Sequence, residues 1–200
     1  MKTVAAASAA LLSLASVATA QTVQSKPFYL VLDCASKYNG SALVSCHEGA
    51  GIESLCVAAT LGSNVKGSTY MLNTTTGEVG DKNAGTPGTL VYKLPISGGV
   101  GESEPMQLSY NEASNVALPL FEPSTTATLV AFDKDNHMNI QSYIDDTVVP
   151  AKTGELAYYR WYVCKSNYEG TQYSTLNWVA GKYPPQNPSC EKVEVVRKFA

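Results

Sequence analysis

The chain has no stretch with the amphipathic period of a long helix. No window keeps a helical apolar period over about ten residues. Instead, short runs that alternate apolar and polar residues recur between clusters of Gly, Pro, Asn and Ser. They are "FYLVL" (28–32), "SALVSC" (41–46), "STYMLN" (68–73), "TLVYKLP" (89–95), "MQLSY" (106–110), "VALPLF" (116–121), "TLVAFD" (128–133), "MNIQSYI" (138–144), "YYRWYVC" (158–164), "YSTLNWV" (173–179) and "KVEVVRKF" (192–199). Their Val, Thr and Tyr content suits strands, and the count is about eleven. One short helix is expected over "GIESLCVAA" (51–59), where Ile52, Leu55 and Cys56 would share a face. Pro119 inside "VALPLF" predicts an edge strand or a bulge. The fold class is therefore all-β: a single-domain closed barrel, with a trefoil-like barrel as one form, or a β-sandwich.

The first twenty residues, "MKTVAAASAALLSLASVATA", read as a secretory signal peptide. Lys2 precedes an apolar run, and Ala18-Thr19-Ala20 supplies a small-residue cleavage pattern before Gln21. Residues 21–200 are then one secreted β domain. No later apolar segment of about twenty residues suggests a membrane span, and the charged "KVEVVRKFA" carries no lipid-anchor tail. The net charge of -3 and the presence of only two arginines, Arg160 and Arg197, argue against nucleic acid, whose phosphates demand a basic patch.

Export implies oxidised cysteines. There are five: Cys34, Cys46, Cys56, Cys164 and Cys190. Many pairings are formally open. Proximity favours Cys46–Cys56 and Cys164–Cys190, leaving Cys34 over. Asn39-Gly40-Ser41 and Asn73-Thr74-Thr75 are glycosylation sequons in turn-like sequence, whereas Asn187-Pro188-Ser189 is excluded by its proline.

Catalytic motifs are weak. The only histidines are His47 and His137, and no G-x-S-x-G elbow accompanies them. "SCHEGAGIE" (45–53) reads as a turn closed by a disulfide. "FDKDNHMN" (132–139) spaces Asp133 and Asp135 like calcium ligands, but Met138 stands where the loop needs glycine and Ile144 where it needs glutamate. A polar hairpin tip is expected there. The cysteines lack zinc spacing, so no metal and no cofactor is expected. Glu102/Glu104, Asp133/Asp135 and Asp145/Asp146 are the carboxylate pairs on which an atypical hydrolase would have to rely.

The aromatic stretch is more informative. Side chains alternate across a strand, so "YYRWYVC" and "YSTLNWV", joined by "KSNYEGTQ", predict a hairpin burying Trp161, Val163, Leu176 and Trp178. Tyr158, Arg160, Tyr162, Tyr173 and Asn177 then face outward. Such a row stacks on sugar rings or anchors a protein partner, or else stabilises the hairpin by cross-strand pairing.

"SCHEGAGIESLC", "SNVALPLFEP", "YIDDTVVP", "YYRWYVC" and "TLNWVAGKYPPQNPSC", followed by "KVEVVRKF", together resemble a family of small secreted proteins of filamentous fungi, some labelled IgE-binding protein. The resemblance runs from about residue 28 to 199. It implies a fungal protein outside the cell or on its wall. Cys46, Cys56, Cys164 and Cys190 match the family pattern and Cys34 does not. The resulting expectation is a non-enzymatic, disulfide-bonded glycoprotein that associates with the cell wall or the extracellular surroundings, with glycan binding as the route and antibody recognition incidental. Its alternatives are an effector-like protein that binds a host protein, and the carboxylate-dependent hydrolase.

Overall fold

The computed structural model describes residues 21–61, 67–96, 99, 101–168 and 170–200. The expected signal peptide lies outside the described residues. These residues form fifteen strands and no helix. In chain order they are β1 (Thr22–Gln24), β2 (Phe28–Asp33), β3 (Ser41–Gly49), β4 (Ile52–Thr60), β5 (Tyr70–Thr75), β6 (Gly88–Leu94), β7 (Glu102–Tyr110) and β8 (Val116–Phe121). There follow β9 (Leu129–Phe132), β10 (Met138–Asp145), β11 (Lys152–Tyr158), β12 (Trp161–Tyr168), β13 (Thr171–Val179), β14 (Glu191–Lys192) and β15 (Glu194–Phe199).

Eight strands close a barrel in the order β2, β3, β4, β13, β8, β7, β6, β5. The ring closes on β2, which meets β5 at Phe28↔Tyr70 and β3 at Leu30↔Leu43. Such a ring has no free edges. It does not divide into the three equal units of a trefoil. The other strands lie outside: β1 on β5, β15 on β2, β12 on β13 with β14 beyond it, and β9, β10 and β11 continuing from β6.

Alternation selects the core. Phe28, Leu30 and Leu32 of β2 point inward, as do Leu90 of β6 and Trp161, Val163, Leu176 and Trp178 of the β12–β13 hairpin. Trp161 stands opposite Trp178, their rings edge to face at 4.9 Å. The buried Trp161 indole N–H donates to the Met138 carbonyl at 2.8 Å, so its polar end is satisfied. The four side chains expected to be buried in this hairpin are therefore all in the core.

Several expectations are corrected. Residues 51–59 are not a helix but most of β4. The β3–β4 hairpin offers their backbone a ladder from Ser41↔Thr60 to Gly49↔Ile52, and Gly51 takes the positive φ (68°) that its turn needs. β8 is not an edge strand. It changes partner along its length, pairing with β13 at Val116 and Ala117 and with β4 at Leu120 and Phe121. Pro119 falls between the two partners, where its missing N–H costs nothing. "YYRWYVC" is split, because Tyr158 ends β11 and Trp161 opens β12. The hairpin loop is also tighter than expected, since Tyr168 already pairs with Thr171. The polar tip at 133–137 forms as expected: Asp133 Oδ1 accepts the backbone N–H of Asp135 and of His137, and Asn136 takes φ 68°.

Both disulfides form, Cys46–Cys56 and Cys164–Cys190, and Cys34 is free. The Cα separation is 5.7 Å in the first and 4.1 Å in the second. The short one follows from register. β14 pairs Lys192 with Tyr162 and Glu191 with Val163, so Cys190 comes directly opposite Cys164. The Val193 N–H donates to the Trp161 carbonyl, which makes position 164 one of the closely spaced, non-hydrogen-bonded positions of the ladder.

Candidate functional site

A hollow of about 420 Å³ forms a cleft between two hairpin ends. One wall is the end of β7, the turn at 111–115 and the start of β8. The other is β12 near its tip, with Asn187 beside it. The turn is held by its own polar groups. Asn111 Oδ1 accepts the Ala113 N–H at 2.8 Å, and Ser114 Oγ accepts the Val116 N–H at 3.2 Å. Asn115 and Gln186 bond reciprocally, each backbone N–H donating to the other's side-chain oxygen at 2.8 and 2.9 Å. This fastens the segment before Cys190 to the β7–β8 turn.

The opposite wall is fastened as firmly. Asn187 Nδ2 donates to the Lys165 carbonyl at 3.0 Å, and the Lys165 N–H donates to Ser189 Oγ at 2.9 Å. The Cys164–Cys190 bond closes the same segment. The floor is a polar network with every hydrogen bond made. Asn177 Nδ2 donates to the Thr175 carbonyl and hydroxyl, both at 2.9 Å. The Ser166 hydroxyl donates to Asn177 Oδ1 at 3.1 Å, and the Thr175 hydroxyl to Ser166 at 3.0 Å. Buried polar groups are tolerated when paired in this way. Above the floor stand Tyr110, 60% exposed, and the exposed Asn111, Glu112, Lys165 and Asn167.

The outward row read from the sequence is not one surface. Asn177 is buried, at 1% exposure, because the other face of its strand is covered by the cleft walls; it is the only member of the row in the cleft. Tyr158 and Arg160 line a separate hollow with Asp145 and Asp146, the Arg160 guanidinium 4.4 Å from the Tyr158 ring centre. There, burial and then Asp145 push the Tyr158 phenol upward, while the Thr147 hydroxyl and backbone N–H hold Asp145 low. Tyr162 is half-buried beside Val116, Cys164 and Val179, with the Lys192 ammonium 5.6 Å above its ring. Tyr173 stands opposite Ser166 near the hairpin tip, but it does not line the cleft: its hydroxyl donates to the His47 carbonyl of β3 at 3.2 Å.

The cleft residues Tyr110, Asn111, Glu112, Lys165, Ser166 and Asn167 were missed, and their signal was present. "SYNEAS" and "KSNYEG" each set a tyrosine beside an asparagine at a turn. The signal was hidden because both read as connections, and distant chain, the β8–β13 pairing and the disulfide-fastened segment at 186–190, brings them together.

The other candidates disperse. The Glu102/Glu104 pair is divided, Glu102 exposed and Glu104 fully buried. Asp133 and Asp135 sit in their hairpin tip. Burial and the neighbouring Asp133 raise the Tyr159 phenol to about 12, and that phenol donates to Asp133 at 3.0 Å. The Ser45 hydroxyl donates to Glu53 rather than to His47, so no serine–histidine relay exists there. Among the described residues, the one three-ligand grouping is Cys46, Glu48 and Cys56, whose sulfurs are bonded to each other. Asn39 is exposed in a turn, as expected of a glycosylation acceptor. Asn73 instead lies inside β5, its Oδ1 accepting from Gln24 at 2.9 Å.

A family model described as a domain of unknown function, DUF7907, matches residues 25–199. The chain belongs to that family. The match takes in every strand from β2 to β15 and both disulfides, so the barrel and its cleft lie wholly within the DUF7907 region. No curated protein and no solved structure matches the chain.

Proposed function

We propose that this DUF7907 protein is a secreted, non-enzymatic β-barrel protein that binds a glycan in the cleft between the β7–β8 turn and the β12–β13 hairpin. One observation carries the reading: the cleft combines an exposed tyrosine ring with amide, hydroxyl, carboxylate and ammonium groups over a rigid polar floor. Pockets for apolar small molecules are lined mostly by apolar and aromatic side chains. This lining suits a hydroxyl-rich ligand, whose ring faces stack on Tyr110 while its hydroxyls meet Asn111, Glu112, Lys165 and Asn167. Glu112 is the sole carboxylate among the lining residues, whereas glycoside hydrolysis by the usual route needs two.

The resemblance to secreted fungal proteins makes wall polysaccharide the reading's natural ligand and IgE binding an incidental property of an exported antigen. The two disulfides fit an oxidising destination. Asn39 is the preferred glycosylation site, and a mass change at its peptide after amidase treatment checks it.

The cleft is tested by retention on chitin, glucan and mannan. Tyr110→Ala with Lys165→Ala should abolish retention, whereas Tyr162→Ala with Tyr173→Ala should leave it near wild type. Equal retention of both double variants would remove the cleft from the reading. Passage of the wild type through all three matrices would remove the glycan and favour a host-protein partner.

A further inference from the structure

A second hairpin end, at β3–β4, holds an arrangement that glycan binding does not use. Glu53 of β4 and Glu104 of β7 are both buried, at 6% and 0% exposure. Glu53 is well partnered: Ser45 donates to Oε2 at 2.5 Å, and His47 Nδ1 lies 3.1 Å from Oε1. Glu104 is not, as neither of its carboxyl oxygens has a hydrogen-bond partner. The β3–β4 turn lies against it, for a Cβ built on Gly51 would come 3.8 Å from Glu104 Oε1.

A buried carboxyl without partners needs either a cation or a proton. A cation is poorly served. Glu104 belongs to no three-ligand grouping among the described residues, and no ion pair found among them reaches it. The titratable groups around it are Glu53 on β4, Glu102 on its own strand, Glu122 after β8, His47 on β3 behind Glu53, and Tyr92 opposite it on β6. Lys93 is one residue along from Tyr92, paired with Ser103, so alternation sends it to the other face.

We propose that the β3–β4 end of the barrel is a proton-held latch: the turn at 50–51 stays seated over the Glu104–Glu53 pair while Glu104 carries a proton, and lifts when that proton is lost. Burial, and then the charges of Glu53, Glu102 and Glu122, push the Glu104 carboxyl from 4.5 up to about 7. The seated form therefore binds the proton more tightly than the open one. Its stabilisation is complete below about pH 4.5, declines as pH rises, and is lost above about pH 7. The Cys46–Cys56 bond ties the two strands together a few residues below the turn, so movement is confined to the tip.

Hydrogen exchange on the intact protein tests the latch, with rates corrected for intrinsic pH dependence. Amides at 49–53 should exchange at least tenfold faster at pH 8 than at pH 5, while those of β12 and β13 stay equally protected. Glu104→Gln should remove that difference, whatever its absolute stability. On wild type alone, the infrared carbonyl band of a protonated carboxyl should vanish between pH 5 and 8. Equal protection of 49–53 at both pH values, a loss spread evenly over all strands, or a carboxyl band that persists at pH 8 would each overturn the proposal.

Discussion

Two hairpins carry a disulfide, Cys46–Cys56 tying β3 to β4 and Cys164–Cys190 tying β12 to the segment before β14, and they treat their buried polar groups in opposite ways. At β12–β13, Asn177, Thr175 and Ser166 satisfy one another completely. At β3–β4, Glu104 is sealed in with both oxygens unpartnered, and Glu48 keeps one oxygen unpartnered although Ser54 donates to the other. A satisfied network makes a rigid floor whose geometry does not depend on pH. An unsatisfied carboxyl stores a cost that a proton can switch. Rigid polar geometry suits selective binding, and stored cost suits a response.

The comparison breaks first at the packing beneath the stable hairpin. Trp178→Ala removes one of two interlocked indoles and should cost about 3–5 kcal/mol, read as a large fall in thermal midpoint at every pH. If that variant melted like wild type, the rigidity of β12–β13 would not come from its inner face. Next come the two polar networks, where the expected signs differ. Asn177→Ala leaves the Ser166 and Thr175 hydroxyls short of partners and should destabilise by about 1–3 kcal/mol at both pH 5 and pH 8. Glu104→Met replaces an unpartnered acid with an apolar chain of similar length. It should gain about 1–3 kcal/mol at pH 8 and much less at pH 5. Denaturant titrations at the two pH values check both, and a pH-independent effect of Glu104→Met would erase the contrast. The smallest expected effect is Tyr110→Ala, within about 0.5 kcal/mol of wild type, so any loss of glycan retention in that variant reports binding alone.

The parts legible in the sequence were those set by alternation within one segment. Trp161, Val163, Leu176 and Trp178 sort to one face by period alone, and the structure buries all four. The two cysteine pairs were legible because each closes a local loop. What faces the other side of a strand was not legible, since that depends on distant chain. Asn177 looked exposed because nothing local reveals that the turn at 111–115 and Asn187 roof it over. The β4 segment misled through its apolar spacing, which fits a helical turn as well as a strand until β3 supplies a partner. Glu104 was visible only as half of a pair with Glu102. Its actual companion, Glu53, lies far along the chain and meets it only once β4, β8 and β7 are joined side by side.

The short β14 has a further consequence. It covers only Tyr162 and Val163 of β12, and at the next hydrogen-bonding position, Lys165, the partner is no longer backbone. The hydroxyl of Ser189 and the amide of Asn187 take the Lys165 N–H and carbonyl instead. Two side chains thus stand in for a missing strand, and the Cys164–Cys190 bond keeps them there. Reducing that bond would free the segment and bare an open ladder edge next to the cleft. Open edges recruit the strands of other molecules, so the reduced protein should self-associate through β12 and block its own cleft in doing so.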